Sequence, residues 1–352
     1  MKQRMIIVLW LLSVIQFLAC EKNPTSPSTE LKPARTGLYI INEGQFTQSN
    51  SSISFFDVDE GKMTHNIFQT GNDQSLGSVA NSMTVQDTLG FIVVNNSHKV
   101  EVISLNTWKR TATITLPAGS SPRHMAIINA SKAYITNLFA NTVSIIDLTD
   151  YSVSGEIAVG ANPEGIVISQ QKAFVANSGL GSGTTVSVID IQSDQVMETV
   201  TVGDNPISVG KKDNGGVLVL CTGSYGDFNN PNDSGTDGSL YTINVEDNTI
   251  EDSLALSGHP SRLTLGDDGK GYFINNGMSI VEFEINTLSI TNNDLRTDAF
   301  YGLKVHTGRN RLYGLDAKDF QQQGALEIYD LQGNLIESHT TGITPGSICI
   351  VR

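Results

Sequence analysis

One phrase recurs seven times along this chain of 352 residues. Each copy has an apolar strand that ends in Asn or a substitute, followed by a strand of the pattern apolar-x-apolar-apolar-Asp. The clearest copies are AYITN at 133–137 with VSIID at 143–147, and AFVAN at 173–177 with VSVID at 186–190. A repeat of this kind indicates units that cannot bury their apolar faces alone and must stack on their neighbours.

The last residues of the second strands lie 40 to 54 residues apart, at Asp57, Ser104, Asp147, Asp190, Asn244, Glu284 and Asp330. Each unit has room for two further strands, such as 196–202 after the marker residue and the Pro-led segment 163–168. Four short strands in such a period are typical of a β-propeller blade.

The two ends of the repeat predict how the ring closes. The first blade begins at its second strand, 37–42, and the chain ends with 345–351, which matches the missing first strand. We therefore predict an all-β fold over residues 37–352, a seven-bladed β-propeller of four-stranded blades. Its C-terminal strand completes the N-terminal blade, which removes an exposed sheet edge.

The first 36 residues differ in character from the repeat. Lys2 and Arg4 precede an apolar run at 5–19, which is shorter than the about 20 residues of a membrane-spanning helix and typical of a secretory signal. The ending FLAC at 17–20 resembles the lipobox of bacterial lipoproteins, in which the cysteine is lipidated; an ordinary signal peptide is the alternative. Residues 21–36 hold three prolines and several hydroxyl side chains, which favour an extended tether.

These segments predict a signal peptide at 1–19, a lipidated Cys20 with its tether at 20–36, and an exported domain held at the outer membrane, facing either the periplasm or the outside. The formal net charge of −14 argues against nucleic acid and anionic lipid surfaces as partners. We expect a monomeric domain that meets the membrane through its anchor only. Cys221 and Cys349 fall in blades that do not touch, so we expect two buried free thiols.

The third repeat carries a resemblance to a known family. YITN at 134–137, NTVSIIDL at 141–148 and GEIAVGANPEGIVIS at 155–169 are similar to the YVTN β-propeller repeat over its whole length. IINEG at 40–44 with SISFFD at 52–57 also resembles propeller lipoproteins of outer-membrane uptake systems. The resemblance covers residues 37–352.

The resemblance implies a binding protein without its own chemistry, which captures a small ligand for an outer-membrane transporter or contacts a protein partner. Cobalamin-capturing propellers belong to this broad group, so a corrinoid is the most specific ligand that it suggests. The competing class is an enzyme, such as a lactonase-type hydrolase or a subunit associated with electron transfer.

Propellers bind ligands where loops converge at the ends of the central channel. In this register the residues just after the Pro-led position of each blade surround one mouth, and they are unlike one another. The predicted ligand-binding residues there are Asn81, Arg123, His124, Glu164, Arg262 and Tyr301. The insertion at 222–239 projects over the same mouth and adds Tyr225 and Phe228. The alternative is that Arg and Glu side chains only pair across the mouth.

Other motifs give no catalytic or metal site. The insertion contains acidic residues that could hold Ca²⁺, but it lacks the frame of a calcium loop. The six histidines are scattered, and the sequence has no haem-attachment motif and no nucleophile elbow. We therefore predict no catalytic residue, metal or cofactor, and interpret the recurrent Asn and Asp residues as structural.

Overall fold

The computed structural model describes residues 35–227, 229–230 and 233–352. These residues form seven antiparallel sheets of four strands each, arranged in a ring as a β-propeller. The predicted fold class is confirmed. The predicted signal peptide, Cys20 and most of the tether lie outside the described residues. None of the described helices is long and apolar enough to cross a membrane.

The blades follow one another around the ring in chain order. The first contains β1 (Gly37–Asn42), β2 (Ser52–Asp57) and β3 (Lys62–Thr64); the second β4 (Ala80–Gln86), β5 (Leu89–Val94), β6 (Lys99–Ser104) and β7 (Arg110–Thr115); the third β8 (Pro122–Asn129), β9 (Lys132–Asn137), β10 (Thr142–Asp147) and β11 (Ser152–Ala158). The fourth contains β12 (Pro163–Ser169), β13 (Lys172–Asn177), β14 (Thr185–Asp190) and β15 (Gln195–Thr201).

The fifth blade contains β16 (Pro206–Lys211), β17 (Val217–Cys221), β18 (Ser239–Ile243) and β19 (Ile250–Ala255); the sixth β20 (Pro260–Leu265), β21 (Lys270–Asn275), β22 (Ser279–Glu284) and β23 (Ser289–Thr297). The seventh contains β24 (Gly302–His306), β25 (Arg311–Asp316), β26 (Gln323–Tyr329) and β27 (Leu335–Ile343), and β28 (Pro345–Val351) follows. The helix α1 (Ile67–Asn72) joins the first two blades, and single 3₁₀ turns lie at Asn95–Ser97, Gly179–Gly181 and Thr307–Arg309.

The last strand closes the ring as the sequence predicted. β28 pairs antiparallel with β1, with Ile348 opposite Ile40 and Cys349 opposite Tyr39. Ile348 packs against apolar side chains of both the first and the last blade, among them Phe56 and Leu315. This strand therefore joins the two ends of the chain through backbone hydrogen bonds and through a shared apolar cluster.

Burial falls from the middle of each blade to its outer edge. All six residues of β1 are buried, because this second strand has a neighbouring blade on each face. In the fourth strand β19 five of six residues are exposed. The apolar runs of the second and third strands thus form the contacts between blades, while the first strands line the channel.

The recurrent Asn and Asp residues make local structural bonds. The Asn137 and Asn177 amides donate to the hydroxyls of Ser144 (2.8 Å) and Ser187 (3.0 Å), which lie on the next strand. The Asp190 carboxylate accepts the backbone N–H of Ser193 at 2.7 Å in the following turn. Asn137 and Asn177 therefore fasten neighbouring strands, whereas Asn275 donates to the backbone carbonyl of Ser257. The Asp190 side chain caps a turn.

The two cysteines of the propeller are free thiols in separate blades. Cys221 is buried and Cys349 is partly buried. Burial raises the pKa of Cys221 to about 12 and the pKa of Cys349 to about 11.

Candidate functional site

A cavity of about 590 Å³ opens at one end of the central channel. Six of the seven first strands, or the residues just before them, contribute to its lining. The cavity brings together six of the predicted residues: Arg123, His124, Glu164, Tyr225, Arg262 and Tyr301. Five of them meet because the start of the first strand lies at the same height in each blade, and Tyr225 comes from the insertion of the fifth blade.

Two predicted residues are placed differently. Asn81 is buried, and its side-chain amide donates to the backbone carbonyl of Arg123 at 2.7 Å. The Ser82 hydroxyl donates to the same carbonyl at 2.7 Å, so β4 fastens β8 and does not line the cavity. Phe228 lies outside the described residues.

An ion pair crosses the mouth between the third and fourth blades. Arg123 Nε lies 2.7 Å from Glu164 Oε2. Burial disfavours the charged guanidinium, but the Glu164 carboxylate more than offsets this and raises the pKa of Arg123. The alternative of Arg–Glu pairing across the mouth is therefore realised for these two side chains, which neutralise each other.

A second group surrounds Tyr301 on the other side of the cavity. The Arg262 guanidinium lies 4.9 Å from the centre of the Tyr301 ring, a cation–π distance. The Tyr301 hydroxyl donates to Glu43 Oε2 at 3.1 Å. Burial raises the pKa of Glu43, although Arg262 acts in the opposite direction, and burial raises the pKa of Tyr301 to about 12. Glu43 is not among the predicted ligand-binding residues.

The backbone at Arg262 is unusual. Its φ of 59° lies in the left-handed region, where a β-bulge shifts the register of β20 against β21. In five blades the left-handed residue comes just before the first strand, at Val79, Ser121, Asn162, Asn205 and Thr344. In the sixth blade it occurs inside the strand instead. A side chain in this conformation costs about 1–2 kcal/mol, and such strain concentrates at functional sites.

Two basic side chains lie deeper in the cavity. Burial, assisted by the charges of Arg123 and Arg262, lowers the pKa of His124 to about 3, so its imidazole is neutral at pH 7. Lys304 lines the cavity from β24, and burial lowers its pKa. Its ammonium group makes no side-chain hydrogen bond or ion pair with the part of the chain that the structure describes. Sequence reasoning missed Lys304.

The insertion of the fifth blade reaches the mouth through an aromatic contact. The rings of Tyr225 and His259 have centres 3.9 Å apart at an angle of 30°. Tyr225 remains 58% exposed, so most of its ring is available to a ligand or partner. The Asp233 carboxylate, in the same insertion, accepts hydrogen bonds from the backbone N–H groups of Asp227 and Gly235 at 3.0 Å each. The described residues contain no cluster of three or more side chains suited to a metal ion.

The fold and the site define a seven-bladed β-propeller with a polar cavity at one mouth of its channel. Residues 36–232, more than half of the chain, match the family model DUF5074, a domain of unknown function. The chain belongs to this family. The finer YVTN-type lipoprotein assignment stays a prediction. No curated protein matches the chain.

Solved structures share the architecture at low sequence identity. A quinoprotein alcohol dehydrogenase-like protein from Bacteroides thetaiotaomicron has a TM-score of 0.67 at 12% identity, over 91% of this chain and 79% of that one. Hydrazine synthase from Kuenenia stuttgartiensis has a TM-score of 0.58 at 18% identity, over 76% and 88%. The computationally designed protein Ika8 has a TM-score of 0.59 at 11% identity, over 90% and 91%. These likenesses show the fold alone.

Proposed function

We propose that this protein is a binding protein that captures a small polar ligand at the mouth of the propeller channel. One observation carries the proposal: the starts of the first strands in six of the seven blades hold unlike side chains, most of them polar, and these converge on a single cavity. Its volume of about 590 Å³ lies within the range of ligand pockets, about 300–1,000 Å³. Arg262 adds backbone strain at the same place.

The specific ligand that we propose to test first is a corrinoid, which the resemblance to cobalamin-capturing propellers suggests. A corrinoid is larger than the ligands that a cavity of this volume encloses. It would therefore lie across the mouth, over Arg262 and against the exposed ring of Tyr225.

Titration of the full-length protein with cobalamin, monitored by calorimetry and by visible absorption, tests this proposal. We expect saturable binding that Arg262→Ala weakens at least about tenfold, since removal of a contacting arginine commonly costs more than about 1.4 kcal/mol. Arg110→Ala is the matched control, because Arg110 is exposed on the outer strand β7 and lies outside the cavity. Absence of saturable binding to the wild-type protein would refute the corrinoid proposal.

We also propose that a protein partner docks over the same mouth. The loops that follow the second strands meet at this end of the ring, and in six blades each carries an exposed large apolar residue. These residues are Phe46, Phe139, Leu180, Tyr225, Met278 and Phe320, between 49% and 71% exposed. Exposed apolar groups that surround a polar site are typical of interaction surfaces.

The charges of this end indicate the chemistry of the partner. Near the rim, Arg296 and Lys318 are each ion-paired, with Asp298 and Asp316. The insertion contributes several aspartates and no basic residue. A complementary partner would present apolar side chains with basic groups around them. An outer-membrane transporter is the partner that we propose.

Co-purification with the transporter encoded nearest to this gene tests the docking proposal. The variant Phe46→Ser/Phe139→Ser/Phe320→Ser should lose the partner. The variant Leu335→Ser/Ile336→Ser should retain it, because those exposed apolar residues lie on the outer strand β27. Equal recovery with both variants would contradict docking at the mouth.

We propose, from the N-terminal sequence, that the protein is exported and lipid-anchored at the outer membrane through Cys20. Metabolic labelling with a fatty-acid analogue should mark the wild-type protein and not the Cys20→Ala variant. Labelling of both, or of neither, would contradict the anchor.

A hydrolase, such as a lactonase, is the second candidate function, and one observation favours it. Burial raises the pKa of the Glu43 carboxyl, which accepts the hydroxyl of the cavity residue Tyr301. A raised pKa moves a carboxyl group towards the range that suits general acid catalysis. Lactone turnover that Glu43→Gln abolishes, and that Asp319→Asn leaves unchanged, would favour the enzyme over the binding protein.

A further inference from the structure

We infer that the ligand carries an anionic group, a carboxylate or a phosphate, and that Lys304 binds this group inside the channel. The inference rests on the proposed binding function and names the ligand chemistry that the inner part of the same cavity selects.

The position of Lys304 in the ring is the first argument. It pairs with Tyr313 of the neighbouring strand. The six equivalent first-strand positions, each paired with the matching residue of its own second strand, are small or uncharged: Thr84, Ala126, Val167, Gly210, Thr264 and Cys349. Lys304 is therefore the single charge in a layer of the channel whose other members serve packing.

The environment of Lys304 is the second argument. A lysine surrounded by protein is normally paired, because removing its charge from water without a partner is costly. Among the described residues, the thiol of Cys349 and the like charge of Arg352 act electrostatically on Lys304, and no carboxylate is ion-paired with it. The cavity beside it is the side from which an anion can approach.

The charge balance of the cavity is the third argument. Glu164 neutralises Arg123, and Glu43, whose pKa is raised, accepts the hydroxyl of Tyr301. Arg262 and Lys304 have no carboxylate within ion-pair distance in the described chain. Arg262 and Lys304 are thus two basic side chains without a carboxylate partner among the described residues, in a protein whose net charge is −14.

Arg262 and Lys304 lie at different depths in the cavity. Arg262 lies in the β-bulge between Ser261 and Thr264, and Lys304 lies in the layer of Thr264 in the next blade. Lys304 is therefore one to two residues deeper than Arg262, which corresponds to about 3–7 Å along a strand. A ligand with its anionic group at Lys304 would therefore extend towards the mouth, past Arg262 and the hydroxyls of Ser261 and Ser347.

The test is calorimetric titration of the full-length protein at pH 7 with inorganic phosphate, with succinate and with neutral succinamide. We expect at least one anion to bind saturably and succinamide to bind at least tenfold more weakly. Lys304→Met should weaken anion binding tenfold or more, and Lys304→Arg should keep it within about threefold. Lys212→Met is the matched control, since Lys212 is a buried lysine that lies outside the cavity.

Phosphate binding alone would identify a phosphate ester as the ligand class, and succinate binding alone a carboxylic acid. Equal affinity for succinate and succinamide, unchanged anion affinity in Lys304→Met, or no anion binding at all would overturn the inference. Urea unfolding checks that Lys304→Met folds; we expect a higher midpoint than wild type, because an unpaired buried amine is removed.

The outcome separates this inference from the proposed function. Cobalamin binding that depends on Arg262 but not on Lys304 would leave the mouth as a binding site and refute the anion subsite. Absence of both anion and cobalamin binding would refute both the proposed binding function and the anion subsite.

Discussion

Replacing Gly346 with alanine tests whether the Glu43 carboxylate can move within the site. A Cβ atom at Gly346 would lie 2.3 Å from Glu43 Oε1 and 3.1 Å from Tyr301 Cε1. The closer atom is the end of a flexible side chain, so the carboxylate can rotate away. The change then breaks the bond that Tyr301 donates to Glu43 at 3.1 Å.

The expected loss of stability in Gly346→Ala is small. Loss of a hydrogen bond of this kind destabilises a protein by about 1–2 kcal/mol. Replacing glycine with alanine at an ordinary φ offsets about 0.4–1 kcal/mol by restricting the unfolded chain. The free energy of unfolding of Gly346→Ala should therefore fall by about 1 kcal/mol or less. Ligand affinity should also fall, because Gly346 and Tyr301 both line the cavity.

Gly302→Ala is the matched comparison on the adjacent strand. Its Cβ would lie 2.7 Å from Leu315 Cδ1 and 2.9 Å from the carbonyl oxygen of Gly346. That oxygen belongs to the backbone of the closing strand and cannot rotate away. Overpacking of this kind costs about 1–3 kcal/mol, so we expect a loss of about 2 kcal/mol or more.

Urea unfolding of both variants, with unchanged m-values, gives the two free energies. Calorimetric titration with cobalamin or phosphate, whichever binds the wild-type protein, gives the affinities of the two variants. If Gly346→Ala proved as destabilising as Gly302→Ala, the Glu43 carboxylate would be fixed in place and the reasoning about a yielding side chain would be refuted.

Three further outcomes follow from the packing and the charges. Ile348→Ala should lower the free energy of unfolding by about 3 kcal/mol in urea, whereas the exposed Ile336→Ala should change it by less than about 0.5 kcal/mol; similar losses would contradict the role of the closing strand. The pKa of His124 is about 3 in the folded state and about 6.5 when unfolded, so protonation favours unfolding as the pH falls below 6.5. Between pH 7 and 5 the wild type should lose about 2 kcal/mol more than His124→Asn, and equal losses would contradict a neutral, buried imidazole. At pH 8 the thiols of Cys221 and Cys349 should react with a disulfide reagent about 100-fold more slowly in the folded protein than in urea, and equal rates would contradict their burial.

The repeat predicted the fold closely, because the same pair of strands marks every blade. The predicted closing segment 345–351 coincides with β28, and the predicted strand ends at Asn137 and Asn177 are those observed. The predicted third strands of the fifth and seventh blades end at Asn244 and Asp330, one residue later than the observed strands. The backbone N–H groups of Asn244 and Asp330 donate to the carbonyl oxygens of Thr249 and Asn334, so both residues belong to the following turns.

The repeat also located the cavity, since equivalent positions must lie at the same height in a ring. It could not supply the contacts between blades that pair Arg123 with Glu164 or Tyr301 with Glu43, because these depend on side-chain conformation. It could have found two residues that were missed. Glu43 is the one charged residue that directly follows a second-strand ending, and Lys304 is the one charge in its layer. Both appear when the seven copies are compared position by position.

The most direct measurement is a crystal structure of the protein with cobalamin or phosphate, whichever the titrations show to bind. We expect the ligand in the cavity at the mouth, in contact with Arg262, with any anionic group at Lys304. A second cavity of about 560 Å³ lies by the junction of the first and last blades, lined by His306, Arg309 and Arg352 among others. A ligand bound there, with the mouth unchanged, would contradict the central claim.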